Sequence, residues 1–177
     1  MSRIYTLIIS LGALVIAVDQ WTKSWALSKL ESLGSSIDLL SWWSWTLVHN
    51  YGAAFGMLRN LPESVRGAFF LVLPLGVLLL LWFSYVRHFK KGDLIGPLAM
   101  GLILGGALGN VIDRLRHGYV VDFIDWHYPS LEGCVPLFYK MTPDACHWPV
   151  FNFADAAIFC AMFLLVIYSW RAESKKA

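Results

Sequence analysis

The reactive groups this chain offers within its apolar regions are carboxylates. It carries 12 acidic residues in 177, and five aspartates lie inside or beside long apolar runs: Asp19, Asp113, Asp122, Asp125 and Asp155. A carboxylate at the centre of a membrane helix costs about 2.5–3.5 kcal/mol on insertion scales, so each one held there needs a reason. Asn110, Asp113 and Arg114 are spaced three and four apart and share one helical face if the helix continues; Asn152 and Asp155 share another. Two carboxylates brought close cannot both ionise: one is driven to hold its proton, and the pair titrates as a unit. The ionised member can then act as base on a water while the other gives its proton to a carbonyl oxygen or a leaving amine. Spacing leaves Asp122 and Asp125 as competing candidates for one member of such a pair. The spans contain no Ser-His or Cys-His pair, and the chain has no CxxC or HExxH signature. His49, His117, His127 and His147 are read as loop or interface residues, and no metal is expected.

Four apolar runs are long enough to position these groups: Ile4–Ala26, Gly67–Val86, Leu94–Ile112 and Val150–Trp170. Composition agrees, with 58% apolar and only 15% charged residues against the roughly 25% charged of soluble domains. A disordered chain and a large extramembrane domain are excluded, the composition disfavours a water-soluble enzyme, and a net charge of +2 gives no case for a nucleic-acid partner. The first run resembles a signal peptide, but no small-x-small site leads into a polar region, so it is read as an uncleaved span. Pro74 is expected to kink the second. Lys and Arg concentrate at Arg3, at Arg87, Lys90 and Lys91, and at Arg171, Lys175 and Lys176, which places both termini inside and the connections 27–66 and 113–149 outside. Every intramembrane acid then falls near the outer face. An ion pathway would need polar groups through the whole depth, and the inner halves are almost purely apolar.

The outward connections have patterns of their own. Leu39–Asn50 (LLSWWSWTLVHN) alternates with period two and predicts a strand at the membrane surface, while Ala53–Leu61 fits a short interfacial helix. Cys134 and Cys146 share the second connection, as a disulfide or as two free thiols; Cys160 is read as a packing residue. Gly101, Gly105 and Gly109 recur every fourth residue, as close helix packing requires.

Four motifs in order resemble one family. These are Asp19-Gln20-Trp21-Thr22-Lys23, then Asn50-Tyr51-Gly52-Ala53-Ala54-Phe55-Gly56, then Gly109-Asn110-Val111-Ile112-Asp113-Arg114 with Val120-Val121-Asp122-Phe123, and finally Phe151-Asn152-Phe153-Ala154-Asp155-Ala156-Ala157. Together they are similar to signal peptidase II, the bacterial prolipoprotein signal peptidase. The resemblance implies a four-span, all-α membrane fold with a small outward β-cradle and a mobile helix over the site. It implies an aspartic endopeptidase of the inner membrane, cutting a prolipoprotein just before a Cys that carries a diacylglyceryl group. By match of motif, Asp122 and Asp155 are the catalytic pair; Asn50, Gly52, Asn110, Arg114 and Asn152 line or support the substrate site, and Asp19 and Asp113 support its structure. Asp19 with Lys23 reads more simply as a structural i,i+4 ion pair. No cofactor is expected, the partners are the lipidated substrate and membrane lipids, and a single-domain monomer is anticipated. The segment between Asp125 and Asn152 is longer than the family pattern and fits either a lid or an elaborated surface loop.

Overall fold

The apolar runs form four helices. The structure, a computed structural model, describes residues 2–30, 32–52, 63–88, 94–130, 133–135 and 137–174. Helix α1 is Ser2–Lys29, α2 Glu63–His88, α3 Ile95–His117 and α4 Phe153–Ser174. Each is long and apolar enough to cross a membrane, with mean hydropathy of 1.7 to 2.4 in its most apolar stretch. Helix α1 runs three residues past its expected end at Ala26, and in that added stretch the Ser28 hydroxyl donates to the Trp25 carbonyl at 2.7 Å; α4 starts three residues later than expected, at Phe153. Helix α2 passes Pro74 unbroken. Helix α3 continues beyond Ile112 to His117, so the second connection starts later than expected. Gly118 closes the helix in a left-handed conformation (φ 80°), its N–H donating to the Arg114 carbonyl.

Helix α3 is central: 67% of its apolar stretch is buried inside the protein, against 22% or less for the other three. Small residues make that possible. A methyl group built at Gly105 would lie 2.6 Å from Val15 Cβ and 2.7 Å from the Gly12 carbonyl, and one at Gly101 would press on Leu11. The four-residue glycine repeat is therefore the groove into which α1 packs.

At one end of the bundle lies a five-stranded antiparallel sheet: β1 (Ser36–Leu40), β2 (Trp43–Asn50), β3 (Val120–Pro129), β4 (Tyr139–Thr142) and β5 (Ala145–His147), in spatial order β1-β2-β3-β5-β4. The expected single strand over Leu39–Asn50 is corrected to the second half of a hairpin. A turn at Ser41-Trp42 separates β1 from β2, and period two cannot register a tight turn that keeps the alternation on both sides. The second connection supplies three strands where none was expected. Ala26, Leu30, Leu47, Val121 and Phe123 form the buried cluster that seats the sheet on the end of α1. The fold is thus four long apolar helices with a small antiparallel sheet, as expected in outline, and the sheet has five strands.

Cys134 and Cys146 are disulfide-bonded. Together with β4 and β5, this makes the long second connection an extension of the sheet. Cys160 is exposed on α4, not packed; a small apolar thiol suits a lipid-facing position. The expected helix Ala53–Leu61 lies outside the described residues.

Candidate active site

The register of the sheet brings the acids together. Asn50 ends β2, and Val48 stands opposite Asp122 on β3, so Asn50 and Asp122 project to the same face. One step further, Ile124 forms a two-way backbone bridge with Phe151, each N–H donating to the other's carbonyl at 2.8 and 3.1 Å. That bridge anchors the residues leading into α4, and Asn152 becomes its N-cap. Asn152 Oδ1 accepts from the Asp155 N–H at 3.0 Å, and Asp155 Oδ2 accepts from the Asn152 N–H at 3.3 Å, a reciprocal capping box.

Three asparagine amides hold the two carboxyls. Asp122 accepts from Asn50 Nδ2 at 2.9 Å and from Asn152 Nδ2 at 2.7 Å, one bond on each oxygen. Asp155 Oδ1 accepts from Asn110 Nδ2 at 2.8 Å. Asn110 Oδ1 in turn accepts from Asn152 Nδ2 at 3.1 Å and from Lys23 Nζ at 2.9 Å. Each amide has its orientation dictated by its neighbours. Asn50 is fixed by Gly52, whose N–H donates to Asn50 Oδ1 at 2.8 Å and so turns the NH₂ toward Asp122. Gly52 itself needs its missing side chain: its φ is +87°, and a Cβ there would collide with the Phe70 ring.

Asp122 is 1% exposed. Burial, and after it the neighbouring Asp155 carboxylate, pushes its carboxyl up to about 8 from 3.8, while the hydrogen bonds from Asn50 and Asn152 pull weakly the other way. Its neutral form is favoured over the ionised one.

Behind the two carboxyls is a buried ionic lattice. Lys23 Nζ contacts Asp19 Oδ2 and Asp113 Oδ2, both at 2.9 Å, in addition to Asn110. Its three protons meet three acceptors. Asp19 Oδ1 accepts the Ala154 N–H at 3.0 Å, capping the first turn of α4, and Asp113 Oδ2 accepts the Val121 N–H at 3.0 Å, tying α3 to β3. Gln20 was not singled out by its sequence. Its Nε2 reaches Asp113 Oδ1 at 2.8 Å, Asp19 Oδ2 at 3.2 Å and the Gly109 carbonyl at 3.3 Å, and its Oε1 accepts from Arg116. Its place within the Asp19–Lys23 motif was the available signal.

Two expected residues stand apart from this lattice. Arg114 makes a 3.5 Å contact to the Asn110 carbonyl and lies 5.8 Å from the Phe70 ring centre; it acts on Asp155, Asp122 and Asp113 through its field. Asp125 is on the opposite face of β3 from Asp122, bonded to Thr46 and His147 at 2.9 and 2.8 Å. Of the two competing aspartates, Asp122 is the one beside Asp155. An apolar groove of about 440 Å³ opens next to Asp155, walled by Trp126, Trp148, Phe151, Phe159 and Met162.

Comparison with known proteins places the chain in a family. The family model described as Signal peptidase (SPase) II matches residues 11–171. A lipoprotein signal peptidase of Alteromonas mediterranea is 37% identical over 167 residues, covering 94% of this chain and 82% of that relative. One from Acinetobacter baumannii is 36% identical over 168 residues, covering 95% and 85%. A bacterial membrane enzyme solved by the in meso method at 2.3 Å resolution superposes with a TM-score of 0.72 at 27% identity, covering 96% of this chain and 91% of its own. The chain belongs to the signal peptidase II family.

Proposed function

We propose that the chain is a lipoprotein signal peptidase working as a membrane aspartic endopeptidase, with Asp122 and Asp155 as its catalytic pair. The observation that carries the reading is the pairing itself. Two carboxyls from β3 and α4 meet at Asn152, whose side-chain NH₂ donates to Asp122 and whose backbone N–H donates to Asp155, and Asp122 is raised to about 8 by burial and by Asp155. With one proton between them, the ionised member takes a proton from water. The resulting hydroxide attacks the carbonyl carbon of the residue before the lipidated Cys. The protonated member then donates to the carbonyl oxygen or the departing amine. The asparagine NH₂ groups beside the carboxyls are neutral donors suited to a developing oxyanion.

Substrate would be presented from the bilayer. The groove beside Asp155 is apolar and lies against α4, which suits an acyl chain or an apolar signal helix. Arg3, Arg87 and Arg171 favour the termini inside, and the sheet and the dyad would then face the outer side of the cytoplasmic membrane. A substrate anchored by diacylglycerol would then bring its cleavage site to the depth of the dyad, with much of the entropy of encounter already lost.

The test is cleavage of a lipidated prolipoprotein by wild type, Asp122→Asn and Asp155→Asn in detergent or nanodiscs. Each substitution is expected to lower turnover by roughly 10²–10⁴-fold or more. A folded variant of either kind that retains near-normal turnover overturns the dyad.

A further inference from the structure

The second polar cluster of the molecule lies on the other face of β3, away from the dyad. Asp125 and His127 are two apart on one strand and so project to the same side, and His147 stands directly opposite His127 in the β3–β5 ladder. Their ligating atoms (a carboxylate oxygen and one ring nitrogen from each histidine) all lie within 4.8 Å of one another. Asp125 is 1% and His147 5% exposed, and the His147 Nδ1 sits 2.8 and 3.1 Å from the two Asp125 oxygens.

One atom in the cluster has no hydrogen-bond partner among the described residues. His127 Nδ1 is buried and makes no hydrogen bond among the described residues, although its ring is stacked on His147 with centroids 5.2 Å apart. A buried ring nitrogen left unsatisfied is costly and needs an explanation. The cluster also opens into a cleft of about 350 Å³. Asp38, Asp125 and Asp144 line this cleft, hydroxyls from Ser44, Thr46 and Thr142 join them, and no Lys or Arg does so among the described residues. Its field is therefore negative, and it offers an entry path for a cation.

We propose that Asp125, His127 and His147 form a binding site for a divalent zinc-class cation. Two imidazoles and one carboxylate, with the cleft leaving a fourth position to water, are a zinc donor set; Mg²⁺ and Ca²⁺ prefer oxygen ligands throughout. Metal bonds of about 2.0–2.2 Å require ligand atoms roughly 3.4 Å apart, so small side-chain rotations around the present positions suffice. Thr46 and Thr142, bonded to Asp125 Oδ2 and next to His147 Nε2, hold the ligands from behind at 2.9 and 3.3 Å. The Cys134–Cys146 disulfide anchors the residue before His147. A bound ion would join β3 to β5 and fasten the second half of the sheet to the strand that carries Asp122.

The experiment uses untagged full-length protein in detergent, stripped with a chelator and titrated with Zn²⁺ against a chromophoric competitor, with Co²⁺ absorption as a second readout. Wild type and His117→Gln are expected to bind one equivalent with equal affinity. His147→Gln and His127→Gln are expected to bind at least tenfold more weakly. His127→Gln is decisive, because the His127 side chain makes no hydrogen bond among the described residues and a loss there reports ligation. Absence of saturable one-equivalent binding by wild type, or a His127→Gln variant that binds as tightly as wild type, overturns the proposal.

Discussion

Lys23→Met isolates the contribution of the buried ionic lattice. Lys23 is 2% exposed, and its ammonium is shared at 2.9 Å among Asp19, Asp113 and Asn110. Methionine keeps the length and apolar stem but leaves two buried carboxylates with no cation between them. Gln20, the Ala154 N–H and the Val121 N–H still donate to those carboxylates, yet neutral donors do not replace the missing charge. Breaking a buried charge pair from one side costs about 3–5 kcal/mol. For a chain of this size that is a fall in Tm on the order of 10 °C, at about 2–4 °C per kcal/mol. Nine tryptophans make intrinsic fluorescence in detergent a direct assay of thermal unfolding. The double variant Lys23→Met/Asp113→Asn removes one of the stranded carboxylates and is expected to melt above the Lys23→Met single variant. A loss below about 1 kcal/mol for the single variant, or a double variant whose losses simply add, would refute the reasoning.

Further outcomes follow from the same geometry. Gly109→Ala would place a methyl 2.6 Å from Asp19 Oδ2, and Gly105→Ala would press on Val15; each is expected to destabilise by about 1–3 kcal/mol in thermal melts. Gly76→Ala, which meets nothing within 4 Å, is expected to be neutral or to stabilise by up to about 1 kcal/mol. Because the Asp122 pKa is raised, its neutral form adds stability that is complete below 3.8 and is lost as pH rises through about 8; turnover that needs the shared proton declines over the upper end of that window. A Tm–pH profile that is unchanged in Asp122→Asn would contradict this assignment. Opening the 12-residue Cys134–Cys146 separation with Cys134→Ser is expected to lower stability by up to about 3 kcal/mol, read by denaturant or thermal melts.

The helices and the acids were legible because both leave one-dimensional traces. Apolar runs of helical length mark spans, and an aspartate inside such a run is conspicuous at any position. The i,i+3 spacing of Asn110–Asp113 lies on helix α3 as expected, whereas Asn152 precedes α4 and its spacing to Asp155 is that of an N-cap pair. The sheet was much less legible. Strand β3 reads VVDFIDW, and its first four residues are all buried, so neither face alternates with solvent and period two disappears. Strand β5 has three residues, too few for any periodicity. The choice between Asp122 and Asp125 depends on which face of β3 meets α4, a tertiary fact that spacing three apart does not contain. His127 and His147 are twenty residues apart, and only the β3–β5 register makes them neighbours.

The division between charged and neutral groups explains how one small lattice can support a protonated acid. A cation bonded directly to Asp122 or Asp155 would favour the ionised carboxylate and strip the dyad of its shared proton. Here the ammonium of Lys23 is taken up by Asp19 and Asp113, and only one of its protons is turned toward the dyad, where it meets the neutral amide of Asn110. That amide relays position without relaying charge: its NH₂ side holds Asp155, and its oxygen side receives Lys23 and Asn152. On β2, Asn50 holds Asp122 in the same neutral way. Replacing Asn110 by Asp tests the division, since it would add a third carboxylate bonded to Lys23 and set a negative charge against Asp155. If amides serve only as spacers, turnover should survive that exchange. If their neutrality sets the proton balance, the upper limb of the pH–rate profile should shift or turnover should vanish while the helical fold is retained by circular dichroism.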